Sequence, residues 1–530
     1  MAGDCGRHGG PSDFFPGIRH YEVVVSRGRP LAVVPASVTV RGRMSWLLRV
    51  HRLAHPDPAI RSATAFVQKL GSPPGKHLLT EVELSKLESP KPLRPLTADW
   101  LRRYETALGL AAGQLSDIQT MLMLNSGAVM AGTRSPRAET DALPSVSDSA
   151  HPLTSRQWCT LTDEVMSSRR RARRVRALAE PAVEALCAAS SIDEYLMGDV
   201  VARLGPDCLP VLVEAARDPD NARSNHAAAA VGYFPQPAAW SAAARLVTTD
   251  EPLVMMRSLD AWLRLGRNGT RGLSDIHLRT SRARILELLD PASDVGFGLS
   301  ERAAVVARRH FSALPVVARE LQRRRSSGWV DRLEVSALTP VQHRLIGRLT
   351  GLGQILETPD PALPIYLREA LYHPESSRRA EARFLLRASP YAGALTRAVV
   401  EVLPAQPAQV QQALARMLGT LGQSSAGPCL RQLLEGAASI AVKLSAAGSL
   451  CDIALAEDSD WLGPAMDRST VPALRAGLVH VAGVHGLRNV LTLARQDAEP
   501  DVRREARYWL RTRVADRSWP SQWPCAPALR

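Results

Sequence analysis

Asp250-Glu-Pro-Leu-Val-Met-Met-Arg-Ser-Leu-Asp-Ala-Trp262 and Ala498-Glu-Pro-Asp-Val-Arg-Arg-Glu-Ala-Arg-Tyr-Trp-Leu510 are two copies of one pattern. An acidic and proline-containing turn is followed by an aliphatic residue, an arginine and an Ala- or Leu-rich helix. Asp218-Pro-Asp-Asn-Ala-Arg-Ser-Asn-His-Ala-Ala-Ala-Ala and Tyr372-His-Pro-Glu-Ser-Ser-Arg-Arg-Ala-Glu-Ala-Arg-Phe continue it. Aligning the aliphatic position puts Ala222 and Val254 32 residues apart; Val410, Val442 and Leu474 keep that spacing, and Val502 follows 28 later. A period near 30 made of turn, helix, turn, helix marks a solenoid. Each helix pair has one apolar face that only its neighbours can cover, so the pairs stack into a curved rod.

These repeats resemble bacterial HEAT repeats over roughly residues 180–515, and the pattern degenerates between about 270 and 370. The resemblance implies an α-solenoid, a superhelix of helix pairs whose concave face takes a protein or peptide. Composition agrees with an all-α chain. Ala, Leu and Arg dominate and aromatics are only 5%, which suits helices in small-residue contact better than sheets. The Asp and Glu residues at the repeat turns read as helix N-caps. Residues 516–530, rich in Trp and Pro, read as a cap or loose end.

Upstream of the solenoid the pattern is different. Ser45 to Ala54 reads as one helix and Ile60 to Leu70 as a second, with His55-Pro-Asp-Pro58 ending the first. Leu78 to Leu87 and Thr97 to Leu108 follow, the latter opened by Thr97 and closed by Gly109, and Ala111 to Leu124 adds one more. Residues 44–124 thus form a small helical unit. Residues 1–43 read as a weakly structured leader; Tyr21 to Val40 forms a hairpin or lies upstream of a true start at Met44. Residues 125–155 turn to Gly, Ser, Thr and Pro and read as a flexible linker, leaving 156–515 to the solenoid.

Leu84-Ser-Lys-Leu-Glu-Ser89 and Leu96-Thr-Ala-Asp99 through Tyr104 to Ala107-Leu-Gly-Leu110 resemble the helix-turn-helix of Cro/C1-type (XRE-like) regulators. The resemblance makes Thr80–Leu87 the recognition helix, placed in the major groove of double-stranded DNA. Thr80, Glu81 and Glu83 would then face base edges and Ser85 and Lys86 phosphates, with Lys76, Lys91 and Arg94 contacting the flanking backbone. Leu84 and Leu87 would be core, and Glu88 would tie the helix to its neighbour. The chain departs from the family at Ala59–Ala65, where the usual Gln-x-x-Leu-Ala is missing. Ser89 replaces a glycine, and Pro90–Pro95 is inserted. A structural or protein-binding helical module is the alternative reading of the same residues.

Net charge is +14, carried by arginine, which favours polyanionic partners, although a genome that encodes arginine freely would produce the same excess. Of only five lysines, Lys69, Lys76, Lys86 and Lys91 fall in the N-terminal unit. The run Arg169, Arg170, Arg171, Arg173 and Arg174 is a second candidate for phosphate contact, or else the solvated face of the first solenoid helix.

The seven cysteines show no Cys-x-x-Cys pair, and Cys187 and Cys208 read as small core residues. No phosphate loop, Gly-x-Ser-x-Gly or His-Glu-x-x-His is present. Metalloenzymes built on HEAT repeats use paired His-Glu dipeptides, and this sequence contains none, which sets a HEAT-type lyase or hydroxylase aside. His226 on its Ala-rich helix reads as packed rather than ligating. The expectation is therefore a non-enzymatic, cofactor-free, metal-free cytoplasmic regulator of an actinobacterial kind. It would be nucleoid-associated through DNA and able to dimerise, with no membrane segment and with an unidentified protein partner on the solenoid. The alternative is a scaffold or adaptor that does not bind DNA.

Overall fold

The computed structural model describes residues 39–71, 79–91, 96–126, 153–167, 171–189, 192–219, 221, 223–267, 275–289, 299–311, 315–325, 338–373, 375–453, 455 and 460–512. They form helices and turns, with no strand among them. The N-terminal unit comprises α1 (Val40–Leu53), α2 (Pro58–Arg61), α3 (Ala63–Leu70), α4 (Glu81–Leu87), α5 (Ala98–Leu108) and α6 (Gln114–Ser126). The first half of the solenoid runs α7 (Ser155–Ser167), α8 (Arg171–Ala188), α9 (Ile192–Leu204), α10 (Cys208–Arg217), α11 (Ser224–Ala230), α12 (Pro237–Leu246), α13 (Pro252–Arg267), α14 (Asp275–Leu288), α15 (Leu299–His310) and α16 (Pro315–Arg325). The second half runs α17 (Pro340–Gly353), α18 (Leu363–Tyr372), α19 (Ser376–Ala388), α20 (Ala392–Val402), α21 (Ala408–Leu421), α22 (Gly427–Glu435), α23 (Ile440–Leu450), α24 (Leu462–Arg468), α25 (Pro472–Val484), α26 (Arg488–Ala494) and α27 (Pro500–Arg511).

The repeat register holds from Val254 onward; Ala222 lies outside the described residues. Val254, Val410, Val442, Leu474 and Val502 each fall on the third residue of α13, α21, α23, α25 and α27. All are buried except Val410, which is half-buried. These helices belong to an inner row in which α11 packs on α13 and α13 on α15, while α19, α21, α23, α25 and α27 stack in succession. Outer helices α10, α12, α22, α24 and α26 back them. Small residues let the inner row close up. A Cβ on Gly419 of α21 would come within 2.6 Å of the Ser449 backbone in α23. Only glycine fits there.

The acidic turn residues do not cap as expected. Glu375 and Glu499 occupy the N-cap positions of α19 and α27 without a side-chain capping bond. Pro500, with its fixed φ, opens α27 instead. The turn acid Asp497 accepts from Arg475 at 2.9 and 3.0 Å and from the Glu499 N–H at 2.8 Å, so acid at this turn ties an arginine to the start of α27.

The N-terminal unit starts earlier than its hydrophobic pattern implied. Thr39 caps α1 through its side chain, and α1 opens at Val40 rather than Ser45. Residues 40–43 therefore belong to the folded unit, and the expected hairpin over Tyr21–Val40 falls almost wholly outside the described residues. The expected helix from Ile60 to Leu70 is two, because Ser62 is extended (ψ 126°) between α2 and α3. Pro58 starts α2 at its first turn, where a proline costs no hydrogen bond. Thr97 and left-handed Gly109 bound α5 as read from the sequence.

This unit is built into the solenoid. Arg43 on α1 donates to Glu369 of α18 at 2.5 Å and lies 3.7 Å from Glu381 of α19. Trp46 Nε1 donates to Asp360 at 2.9 Å, and its ring stacks on Tyr391 with 6.2 Å between centroids. His51 bonds the Ala388 carbonyl at 2.6 Å. Helix α6 lies between α9 and α19, so part of the inner face is covered by the chain itself. Of the expected linker, Asn125 and Ser126 close α6, Ser155 opens α7, and residues 127–152 fall outside the described residues. The rod also curls back on itself: Tyr195 of α9 meets Phe384 of α19, and Arg223 meets His480 of α25 at 2.5 Å.

Candidate nucleic-acid interface

Helix α4 is short and held at both ends. At its start the Thr80 hydroxyl accepts from the Glu83 N–H at 3.3 Å. At its end Arg41 donates to the carbonyls of Lys86 at 2.8 Å, Leu87 at 2.7 Å and Ser89 at 3.2 Å. A guanidinium on otherwise unsatisfied terminal carbonyls both bonds them and complements the helix dipole. Leu84 and Leu87 are buried. Burial alone would lower the Arg52 pKa, but Glu88, held at 2.8 and 2.7 Å, raises it. Glu88 thereby ties the end of α4 to α1. Burial, followed by the neighbouring Glu88, keeps the Tyr104 phenol well above its ordinary pKa.

The outward face carries Thr80, Glu81, Val82 and Ser85, all exposed. Val82 is 64% exposed, the most exposed large aliphatic among the described residues. The sequence reading missed it, although Val82 lies off the Leu84–Leu87 face and so had to point outward. Glu81 accepts from the Thr64 hydroxyl of α3. Glu83 and Lys86 pair with each other at 2.7 Å, so a candidate base reader and a candidate phosphate contact are engaged together. Lys91 is exposed beyond the helix.

Lys76 and Arg94 lie outside the described residues, as do Arg169 and Arg170. Arg171 opens α8, and its side chain is not among those described. Arg173 and Arg174 are exposed on α8 with Val175 buried between its turns, so this part of the run is a solvated helix face. His226 is packed: Arg223 contacts its ring at 2.5 Å, and burial followed by that guanidinium pushes its pKa well below the ordinary range. Cys187 and Cys208 are buried core residues. Among the described residues no helix is long and apolar enough to cross a membrane.

No protein-family model matches the chain, and no curated protein matches it. Solved structures do. The structure of human deoxyhypusine hydroxylase in complex with glycerol is similar at 16% identity and a TM-score of 0.31, over 64% of this chain and 98% of that one. An engineered protein is similar at 14% identity and a TM-score of 0.19, over 67% of this chain and 98% of that one. Importin beta is similar at 11% identity and a TM-score of 0.25, over 88% of this chain and 71% of that one. Likeness at this level transfers no activity and no partner. One expectation is withdrawn: the absence of catalytic motifs does not place this chain outside the enzymes, and a hydroxylase stands among the structures it is similar to.

Proposed function

We propose that the chain is a DNA-binding transcriptional regulator that reads double-stranded DNA through α4. Its solenoid holds the reader unit and offers its remaining inner surface to a protein partner or a second copy. One observation carries the reading: a helix fixed at both ends turns Thr80, Glu81, Val82 and Ser85 to solvent. An exposed aliphatic on an otherwise polar helix suits the thymine methyl, and a glutamate beside it can accept from a cytosine amino group. The Glu83–Lys86 pair holds down the net negative charge that this face would bring to phosphates. In a dimer, two such helices would meet half-sites about 34 Å apart. Such a regulator would work at the nucleoid, in the cytoplasm.

A second reading, a scaffold without DNA binding, is favoured by the way α1 and α6 pack into the solenoid. Titrating the full chain against mixed-sequence duplexes at two salt concentrations separates the two. The regulator reading expects log K to fall linearly with log salt, and Lys91→Ala to reduce the slope by about 1. Absence of salt-dependent binding refutes it.

A further inference from the structure

Inside the curl of the solenoid the arginines outnumber their acids. Asp260 of α13 collects Arg302 of α15 at 3.2 Å, the Ser376 hydroxyl of α19 at 2.7 Å and Arg257 at 3.9 Å. Glu194 takes Arg257 as well, at 3.9 Å. Next to this saturated set stand two guanidinium groups that no described carboxylate serves. Arg383 of α19 donates through Nε to the Ala370 carbonyl at 2.9 Å, and Arg416 of α21 donates through Nε to the Ser445 hydroxyl at 3.2 Å. Each group has five N–H donors, and these neutral acceptors take one apiece.

The two residues hold related places in the fold. They lie 33 residues apart on successive inner helices, about one repeat, and so project from neighbouring positions of the same row. Like charges act on both: Arg379 and Arg416 on Arg383, and Arg302 on Arg416. Burial, then Arg379 and Arg416, brings the Arg383 pKa down to about 9, and burial, then Arg302, lowers that of Arg416. Arg416 is exposed and Arg383 half-exposed, so both cations are open to a solute. Clustered cations without carboxylate partners attract an anion.

We infer that Arg383 and Arg416 form an anion site inside the solenoid, and that its ligand is a phosphoryl group. Two unserved cations match a dianion. A phosphate carries about −1.5 to −2 charges at pH 7 and three acceptor oxygens that two arginine forks can grip, whereas a carboxylate neutralises one cation. The group can come from free inorganic phosphate or from a small phosphomonoester. The site is independent of α4 and of the reading given to it.

The test uses the full-length protein in phosphate-free buffer at constant ionic strength. It is titrated by calorimetry and by thermal melting with inorganic phosphate, glycerol phosphate or acetate. The expected result is saturable binding and a rising melting temperature with phosphate or glycerol phosphate, and neither with acetate. Glycerol phosphate binding more tightly than phosphate would identify the phosphomonoester as the source, and the reverse would identify the free ion. Arg416→Gln should weaken phosphate binding by at least about tenfold, since a charge-assisted bond is lost. Without ligand, the same variant should melt no lower than the parent, because it removes repulsion. Arg383→Gln should weaken binding likewise. Arg431→Gln, which removes an arginine already paired with Glu435, should leave binding unchanged. The inference is overturned if no saturable phosphate response occurs, if acetate binds equally well, or if Arg416→Gln and Arg383→Gln bind phosphate like the parent.

Discussion

Replacing Arg43 by methionine probes how the N-terminal unit is fixed to the solenoid. The guanidinium is 1% exposed and lies 2.5 Å from Glu369 and 3.7 Å from Glu381. Methionine fills similar space but leaves Glu369 buried without its cation, while Glu381 keeps Arg378 at 3.2 Å. Removing one partner of a buried pair costs about 3–5 kcal/mol. Burial already holds the Glu369 carboxyl above its usual pKa, and losing Arg43 raises it further. A raised carboxylate pKa means that the folded state favours the protonated form. The penalty should therefore be greatest at neutral and higher pH and shrink as pH falls and Glu369 takes a proton. The assay is urea unfolding of the full chain at pH 7.5 and 5.5. Emission from Trp46, isolated by subtracting the Trp46→Phe spectrum, reports the seam locally. Adding Glu369→Met to Arg43→Met should recover most of the loss, since an apolar pair in place of an ion pair is close to neutral. A loss under about 1 kcal/mol at pH 7.5, no dependence on pH, or a double variant weaker than the single would refute the reasoning.

Three further outcomes are expected. Burial lowers the His51 pKa to about 4 in the folded chain, so its stabilising effect is complete above pH 6.5 and is lost as pH falls from 6.5 toward 4. That amounts to about 3 kcal/mol, which His51→Gln should largely abolish in a pH series of melting curves. Gly419→Ala should cost about 1–3 kcal/mol in unfolding by denaturant, because its Cβ would press on the Ser449 backbone between α21 and α23. Glu88→Ala strands Arg52 and frees the end of α4; a loss of about 3–5 kcal/mol is expected, with amide exchange in α4 accelerating before exchange in α5.

The repeat was legible because its signal is local. The aliphatic at the third position of α13, α21, α23, α25 and α27 faces the core, and the spacing of 32 between Val410, Val442 and Leu474 is printed in the chain itself. Thr97 and Gly109 were legible for the same reason, as were Leu84 and Leu87. The start of α1 was not, because Val40–Arg43 show no apolar periodicity and are held by partners far away: Glu369 is 326 residues from Arg43. Helical spacing says which face is buried, never against what. Helix α6 did carry a signal. Asp117 is its only charged residue, and a helix with so little charge on any face belongs inside, as α6 does between α9 and α19. In the candidate interface, the i,i+3 spacing of Glu83 and Lys86 already put the two charges side by side on α4, but the pairing was overlooked because the resemblance gave each a DNA contact of its own.

The account rests most heavily on α4 as a reader of DNA, and selection from a random duplex library with the full chain tests that directly. A defined motif should be enriched over the input, and Val82→Asp should abolish the motif while leaving the fold intact, since Val82 is 64% exposed. No enrichment, or the same motif recovered by Val82→Asp, would contradict it.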